Sequence, residues 1–258
     1  LLCEFARKHV TVALSGDGSD ELFAGYDPFR VLRRAQLYDR TVPKPIHNAI
    51  KALAAGLPRS DANMSFDFVL NRGLRGIKHP ESEWSPRWLG ALDPDDIADL
   101  FNEPVAAELL YSEAISAWEA CPSDHIVDKT LDFYTRFYLP DSILTKTDRA
   151  SMSVGLEVRS PFLANAVADF AQRLPWHVKL RGRTTKWILK RALNSRLPSN
   201  IVNRKKKGFG IPLSRWIRDL DVPSGSPPHV KVAWLRDRWA RHASGKSDDR
   251  LALWCWMA

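Results

Sequence analysis

The chain has 258 residues, 45% of them hydrophobic, which is enough apolar material for a full hydrophobic core and excludes an unstructured chain. Its three cysteines, Cys3, Cys121 and Cys255, are too few and too far apart for a disulfide framework or a CxxC metal site. We therefore expect a reducing compartment, specifically the cytoplasm. No apolar run approaches the roughly 20 residues that span a bilayer, and the first residues lack the pattern of a signal peptide, so we expect no membrane segment.

The formal net charge of +8 suits a nucleic-acid partner, a nucleotide phosphate or simple solubility. Positive charge concentrates in residues 181–191 and 204–207, with Trp187 and Phe209 close in sequence. No zinc-finger, RNP-type or homeodomain signature accompanies these clusters. The sequence therefore disfavours nucleic-acid binding, and a non-catalytic basic module that binds nucleic acid or a partner chain is kept as the alternative from another class.

Residues 1–26 predict half of a parallel α/β unit, with the end of a helix, a strand, a Gly/Asp turn and a new helix. Apolar residues recur at helical spacing from Leu1, so we expect this helix to begin upstream of the sequence. Val10, Val12 and Leu14 then follow strand spacing, which predicts a strand that enters the turn.

The turn after this strand is typical of a phosphate and metal site. Gly16 and Gly18 permit the positive-φ geometry in which successive N–H groups converge on an anion, and a helix predicted to begin near Ser19 presents its positive end. The turn also carries three carboxylates, those of Asp17, Asp20 and Glu21. Carboxylates beside a phosphate require a divalent cation such as Mg²⁺ between them.

An ordinary strand-to-helix turn is the alternative, with Ser19 as the N-cap and Asp20 and Glu21 as favourable acids in the first helical turn. The run is neither a Walker A sequence nor a GxGxxG fingerprint.

Residues 28–125 predict a helical lobe broken by prolines, in which we interpret Trp84, Trp88 and Trp118 as core packing rather than as a ligand cage. Residues 126–200 place polar groups of catalytic type among apolar helices. Pro140 predicts a helix start.

The same region holds two smaller patterns. An amphipathic helix that we expect to end at Pro175 is predicted by apolar residues at helical spacing, which are Val167, Phe170, Ala171 and Leu174. Glu157 and Arg159 are two residues apart, and we expect separate buried ion pairs that position helices.

Residues 181–191 predict a helix start that carries a cation. Thr184 or Thr185 can cap the helix, and Lys186 then falls in its first turn. A cation there is unfavourable by about 0.3–1 kcal/mol unless an anion lies in front of it. Lys186 is therefore a candidate phosphate clamp or transition-state cation, and a solvated surface lysine is the alternative.

The remaining segments are simpler. Residues 204–212 form a basic, Gly-flanked segment that either closes over a polyphosphate or is a solvated loop. Residues 222–229 predict a linker, and residues 230–258 predict one or two terminal helices. We expect one domain over residues 1–221, which includes the helical lobe.

Four blocks of the sequence together resemble the synthetase domain of glutamine-dependent asparagine synthetases. The blocks are SGDGSDELFAGY at 15–26, LPDSILTKTDRASMSVGLEVRSPF at 139–162, LRGRTTKWILKRAL at 180–193 and KKGFGIPL at 206–213. They occur in the family's order and extend over nearly the whole chain. The resemblance implies an α/β fold of the ATP-pyrophosphatase (adenine nucleotide alpha hydrolase-like) type, with part of its parallel sheet and a large, mainly helical portion.

The resemblance also implies a reaction in which ATP activates the aspartate side-chain carboxylate as an acyl-adenylate, before ammonia gives asparagine, AMP and pyrophosphate. The implied catalytic residues are Asp17, where the family usually carries Glu, and Lys186, near the α-phosphate. The residues implied to bind ATP or pyrophosphate are Ser15, Gly16, Gly18 and Lys207. The acid implied to hold Mg²⁺ with pyrophosphate is Asp20.

Two family features are not found in these residues: the first phosphate loop, Ser-Gly-Gly-x-Asp-Ser, and the N-terminal glutaminase with its first-position cysteine. We therefore interpret the chain as the C-terminal part of a larger protein that takes ammonia from glutamine, and expect the 258 residues alone to be inactive. The resemblance allows a homodimer. It also leaves open a related enzyme that closes a β-lactam, cyclises a lasso peptide or amidates a cell-surface sugar.

Overall fold

The strand predicted before the Gly/Asp turn forms, and it pairs with a second strand far along the chain. Strand β1 is Val12–Leu14 and strand β2 is Glu157–Arg159. They are parallel, with Val12 opposite Glu157 and Leu14 opposite Arg159. The carboxyl ends of both strands therefore lie at the same edge of the sheet. The structure, a computed structural model, describes residues 1–60, 62, 64–101, 103–204, 211–223, 225 and 229–257.

Helices make up most of the rest of the described chain. The first nine α-helices are α1 (Leu2–Arg7), α2 (Ser19–Leu22), α3 (Leu32–Thr41), α4 (Lys44–Ala55), α5 (Phe66–Gly76), α6 (Glu81–Leu89), α7 (Pro94–Phe101), α8 (Ala107–Leu110) and α9 (Ser112–Ala120). The others are α10 (Ile126–Phe133), α11 (Thr145–Met152), α12 (Asn165–Arg173), α13 (Trp176–Lys179), α14 (Trp187–Leu193), α15 (Ser199–Val202), α16 (Leu213–Arg218), α17 (Val232–Ala243) and α18 (Arg250–Met257). Short 3₁₀ helices occupy Asp27–Arg30 and Pro161–Leu163.

The chain divides into two compact units. Unit 1 comprises Leu1–Leu37 and Ala117–Lys205, and unit 2 comprises Tyr38–Ser116 and Lys206–Ala258. The predicted linker at 222–229 falls partly outside the described residues, at 224 and 226–228. The domain boundaries expected from the sequence stay a prediction.

Hydrophobic packing in unit 1 fixes the short helix after the turn. Leu22 and Phe23 form a buried cluster with Ala171 of α12. Partly buried side chains complete the cluster. They come from the 3₁₀ helix after β2, from α12 and the residue after it, and from α14, and they are Phe162, Leu163, Ala168, Leu174, Ile188 and Leu189. A buried apolar side chain contributes about 1.5–3 kcal/mol, so this cluster holds α2 and α14 close together.

The helix predicted to start at Pro140 is part of a longer one. A π-helix, Tyr134–Leu144, contains Pro140 and joins α10 to α11 without a break. Proline lacks an N–H and crowds the carbonyl of the preceding turn, and the wider π turn relieves both problems. The Pro140 carbonyl accepts a backbone N–H at the end of the π-helix, and the Thr145 hydroxyl also donates to it at 2.8 Å.

Two smaller expectations need correction. Glu157 and Arg159 do not make separate buried pairs, because strand alternation puts them on one face of β2, where Arg159 Nε lies 2.8 Å from Glu157 Oε1. Both side chains are more than half exposed. The helix predicted from Val167 does form as α12, but Phe170 on its expected apolar face is 55% exposed.

The segment 28–125 is mainly helical where it is described. Two of the three tryptophans expected in the core are buried, whereas Trp118 is half-buried, with Lys129 Nζ 5.3 Å from its ring centroid. Trp84 and Trp88 are buried and donate to the carbonyls of His79 and Gly73. A parallel strand pair among many helices is compatible with the predicted α/β class. Within the described residues, no helix is both long and apolar enough to cross a bilayer.

Candidate active site

The parallel ladder continues one step beyond the strands and brings two serines together. Ser15 follows β1 and donates its N–H to the Arg159 carbonyl at 2.8 Å. Ser160 follows β2, and its hydroxyl lies 2.7 Å from that of Ser15. The Gly/Asp turn therefore leaves the sheet from a point fixed by both backbone and side-chain hydrogen bonds.

The two glycines of the turn differ in conformation. Gly18 has a φ of +83°, as predicted, and a Cβ there would overlap the side chain of Leu163. Gly16 does not adopt a positive φ, and a Cβ there would have nothing within 4 Å. Gly18 alone supplies the left-handed residue, and the chain at Gly16 stays open to an approaching group.

Gly18, not Ser19, precedes helix α2 as its N-cap, and no side chain caps the helix. The Ser19 hydroxyl donates instead to the Gly16 carbonyl at 2.7 Å. The alternative of an ordinary turn in which Ser19 is the N-cap is therefore wrong about the capping residue. The N–H groups at the start of the helix are not occupied by a side chain.

Asp17 has partners that its neighbourhood in sequence does not reveal. Its Oδ2 accepts hydrogen bonds from the hydroxyls of Ser15 and Thr147, each at 3.0 Å. Thr147 lies on α11, in the second block of the resemblance, and both Asp17 and Thr147 are half-buried. Sequence reasoning missed Thr147 and Ser160 because only the fold brings these hydroxyls to the turn.

Lys186 reaches across to the other acid of the turn. Its Nζ lies 2.9 Å from Asp20 Oδ1 and donates to the Ser19 hydroxyl at 2.8 Å. Both ends of the Lys186–Asp20 pair are about three-quarters buried, since their side chains are 26% and 20% exposed. The alternative of a solvated surface lysine is wrong.

The backbone at Lys186 also corrects the predicted helix start. Lys186 does not lie in the first turn of α14 but precedes Trp187 as the N-cap residue, in the left-handed region with a φ of +51°. Neither Thr184 nor Thr185 provides a side-chain cap. Instead the Lys186 N–H donates to the Phe23 carbonyl at 3.1 Å, which ties this lysine to the end of α2.

Gly25 makes room for this lysine. Its N–H donates to the Asp20 carbonyl at 2.8 Å, which closes the chain back on α2. A Cβ on Gly25 would overlap Lys186 Cε and Asp20 Oδ1. The preceding residue, Ala24, is completely buried and has a φ of +53°. Gly25 was not singled out from the sequence, because the close approach comes from Lys186.

Glu21 is the third acid of the turn, and its carboxylate contacts an aromatic cluster. It is 1% exposed and accepts a hydrogen bond from the Tyr26 hydroxyl. Tyr26 stacks on Tyr134 with ring centroids 5.0 Å apart. Burial, followed by the Glu21 carboxylate, raises the pKa of Tyr26 far above its usual range, so Tyr26 remains a neutral donor.

The surroundings of Lys186 carry further positive charge. Lys190 lies one helical turn after Lys186 on α14. Burial lowers the pKa of Lys190, and the nearby cations Arg30 and Lys186 lower it further. Mutually repelling cations close together favour an anionic ligand.

Lys207 lies outside the described residues, so its place relative to the turn stays a prediction. Among the described residues, no group of three or more His, Cys, Asp and Glu side chains could hold a metal ion. Asp17 and Asp20 are the acids left at the turn once Glu21 is taken by Tyr26.

The carboxyl edge of a parallel sheet, a Gly-rich turn, two acids and a lysine fixed from a distant helix define an α/β protein with a site suited to an anionic ligand. The chain belongs to the asparagine synthase family, because the Asparagine synthase family model matches residues 1–257.

Individual relatives agree with this assignment. The chain is 29% identical to asparagine synthetase [glutamine-hydrolyzing] 1 of Bacillus subtilis, over 96% of this chain and 39% of that protein. It is 32% identical to a candidate glutamine-hydrolyzing asparagine synthetase of Mycobacterium tuberculosis, over 96% and 38%. It is 24% identical to Amidase chyE of Penicillium rubens, over 88% and 35%. The chain thus spans about two-fifths of the length of these relatives. No solved structure matches it.

Proposed function

We propose that this chain is the synthetase part of an enzyme that uses ATP to convert aspartate to asparagine. In the first step, an oxygen of the aspartate side-chain carboxylate attacks the α-phosphorus, and the bond to the β-phosphate oxygen breaks to release pyrophosphate. In the second, ammonia attacks the acyl carbon, AMP leaves, and the nitrogen loses a proton. The observation that carries the proposal is the fixed contact of Lys186 with Asp20 and Ser19 at the Gly18 turn.

The turn would bind the pyrophosphate part of ATP. Ser15, Gly16 and Gly18 line it, and the uncapped start of α2 offers N–H donors to phosphate oxygens. In-line displacement spreads negative charge over the phosphoryl oxygens, and a fixed ammonium stabilises that charge. Lys186 has this role in the proposal, and Lys207 is a further phosphate ligand.

Asp20 would hold Mg²⁺ together with the phosphates. Protein sites for Mg²⁺ on a nucleotide use one or two carboxylates and leave the other positions to phosphate and water. Asp20 fits this pattern, since its largely buried carboxylate lies in the turn and is paired with a cation that phosphate can share. When bound, the ion would neutralise negative charge on the phosphate oxygens.

Asp17 would act on the aspartate substrate rather than on the phosphates. Its Oδ2 is occupied by two hydroxyls, and the carboxylate is only half-buried. In the proposal, Asp17 orients the aspartate substrate during adenylation and later accepts the proton that the ammonia nitrogen releases. In a family that usually carries Glu here, the shorter Asp makes its exact placement important.

The proposal for the complete protein is based on the relatives. Their names specify glutamine hydrolysis, and they are longer than this chain, so we propose that the complete protein also carries an N-terminal glutaminase that supplies ammonia. A homodimer in the cytoplasm, and an ATP-pyrophosphatase type of parallel sheet completed by further strands, are parts of the same proposal.

The alternative of a basic nucleic-acid-binding module has less support. Trp187, the aromatic residue within the basic stretch 181–191, is covered by Arg181 at 5.0 Å and Arg191 at 5.4 Å from its ring centroid. A base-stacking platform needs an open ring face and cations that face the nucleic-acid backbone. These cations are engaged within the protein instead.

Aspartate-dependent exchange between pyrophosphate and ATP tests the function in the complete protein. We expect exchange only with aspartate and Mg²⁺, and a loss of about 10²–10³-fold in Lys186→Ala. Lys51→Ala removes an exposed lysine of unit 2 and should match the wild type. Exchange without aspartate, or with another carboxylate in its place, would contradict the assigned substrate. Unchanged exchange in Lys186→Ala would contradict the assigned site.

A further inference from the structure

Hydroxyl groups from three separate segments are linked by hydrogen bonds at one oxygen of Asp17, two of them directly and one through Ser15. Thr147 Oγ1 and Ser15 Oγ both donate to Asp17 Oδ2 at 3.0 Å. Ser160 Oγ lies 2.7 Å from Ser15 Oγ. These groups come from α11, from the end of β1 and from the end of β2, so three elements of unit 1 specify the position of a single carboxylate.

The direction of these hydrogen bonds follows from counting protons. A serine hydroxyl has one proton, and Ser15 donates it to Asp17. Ser15 must therefore accept in its contact with Ser160, so Ser160 is the donor there. Ser160 therefore donates to Ser15, and Ser15 donates to Asp17 Oδ2. Thr147 donates to the same oxygen from α11.

The two oxygens of Asp17 consequently have different surroundings. Within the described part of the chain, the hydrogen bonds to the Asp17 carboxylate all reach Oδ2, and Oδ1 receives none. Oδ1 is therefore available to accept a hydrogen bond or a proton from a ligand.

We propose that Thr147 is a positioning residue for Asp17, which together with the Ser160–Ser15 pair holds Oδ2 so that Oδ1 receives the proton released by the attacking nitrogen. The proposal rests on the proposed function for the identity of that nitrogen. In the balanced step, the C–N bond forms as the bond from the acyl carbon to the AMP oxygen breaks with its electron pair. The proton from nitrogen goes to Asp17 Oδ1.

Three substitutions on one helix separate this role from a merely structural one. Thr147→Val keeps the shape of the side chain and removes the donor, whereas Thr147→Ser keeps the donor. Thr145→Val is the matched control, because the Thr145 hydroxyl donates to the Pro140 carbonyl and not to Asp17. Ser160→Ala removes the donor at the far end of the path and serves as a second variant if Thr147→Val does not fold.

The pH dependence of amide formation in the complete protein, at saturating ammonia, is the first readout. Thr147→Val should lower kcat about tenfold or more and move the acid limb of its pH profile to higher pH, because loss of a donor makes Asp17 a weaker acid. Ser160→Ala should shift the limb in the same direction by less. Thr147→Ser should restore the wild-type limb, and Thr145→Val should lower thermal stability without shifting it.

The second readout does not depend on turnover. Carbon-13 labelling of aspartate carboxyls allows Asp17 to be titrated by NMR in the same protein, with its signal identified by its loss in Asp17→Asn. We expect a higher carboxyl pKa in Thr147→Val and a wild-type value in Thr147→Ser and Thr145→Val.

Identical titrations and pH profiles in the wild type, Thr147→Val and Ser160→Ala would overturn the inference and leave the proposed function intact. A wild type that does not exchange pyrophosphate with aspartate would overturn the proposed function. The NMR titration would then still decide whether Thr147 controls Asp17.

Discussion

Gly25 allows Lys186 to reach Asp20, because glycine has no Cβ in the space that the lysine side chain occupies. A Cβ at this residue would lie 2.8 Å from Asp20 Cα and would overlap Lys186 Cε. Backbone atoms cannot move aside as a flexible side chain can, so the clash must displace either the turn or the lysine. The Lys186–Asp20 contact therefore requires a glycine at position 25.

We predict that Gly25→Ala lowers aspartate-dependent pyrophosphate exchange by about 10²-fold, because a small misplacement of a catalytic group has an effect of that size. Gly73→Ala is the control, since a Cβ at this position in α5 has nothing within 4 Å and alanine favours a helix by about 0.5–1 kcal/mol. Exchange rates and thermal unfolding of both variants are the measurements. A Gly25→Ala protein with wild-type exchange would show that Lys186 needs no such space.

The residues of the site differ in whether they could be predicted from the sequence. The acids and glycines of the turn, and Lys186 far from them in sequence, could be selected because their chemical types match a phosphate site. Their partners could not be predicted in the same way. The Thr147 hydroxyl and the positive φ at Lys186 depend on how α11 and α14 approach the turn, and no spacing within the sequence encodes that approach.

Helix α2 is stabilised by a buried acid on its inner face. Glu21 is 1% exposed, and the Tyr26 hydroxyl is its donor. Removing that donor leaves a buried carboxylate without this hydrogen bond, which costs about 1–3 kcal/mol. The raised pKa of Tyr26 adds a dependence on pH.

The sign of that dependence follows from proton binding. The folded state keeps the Tyr26 proton above pH 10, the ordinary pKa, whereas the unfolded state releases it. Stability from Tyr26 is therefore complete below pH 10 and declines as the pH rises above it.

We predict that Tyr26→Phe is less stable than the wild type at pH 7–9 and that the difference shrinks above pH 10. Urea unfolding of both proteins from pH 7 to 11.5 measures it, and lysine and arginine titrations cancel in the comparison. Glu21→Gln provides the control, since it retains an acceptor for Tyr26 and removes the charge. Parallel stability curves over the whole pH range would mean that Tyr26 titrates normally.

At the scale of elements, local pattern predicted β1, the helix after it and α12, since each is specified by its own residues. The prediction for the Pro140 region was wrong because a proline usually lies at the start of a helix. Here Pro140 lies inside a continuous helix, between α10 and α11. Pairing of β1 with β2 was beyond prediction for another reason. Three-residue strands carry too short a pattern to specify a partner, and the partner here is far along the chain.

At the scale of the whole molecule, unit 2 shows an organisation that depends on charge as well as on apolar packing. In unit 2, Arg238 of α17 lies 2.6 Å from Asp96 of α7 and 3.1 Å from Asp249, which precedes α18. Asp96 and Asp249 are about 21% and 9% exposed. One guanidinium thus connects three parts of the chain that are distant in sequence, which composition alone could not reveal.

We predict that Arg238→Ala lowers the local stability of unit 2 by about 1–3 kcal/mol, because two largely buried carboxylates lose a charged donor. Arg241→Ala, on the same helix, is the control, because its ion pair with Asp237 is about half exposed and contributes less than about 1 kcal/mol. Hydrogen exchange measured by mass spectrometry should show faster exchange in peptides of α7, α17 and α18 for Arg238→Ala. Peptides of β1 and α2 serve as an internal reference. Equal exchange in the two variants would mean that apolar contacts such as those of Leu253 with Ile217 and Trp239 hold these helices without the arginine.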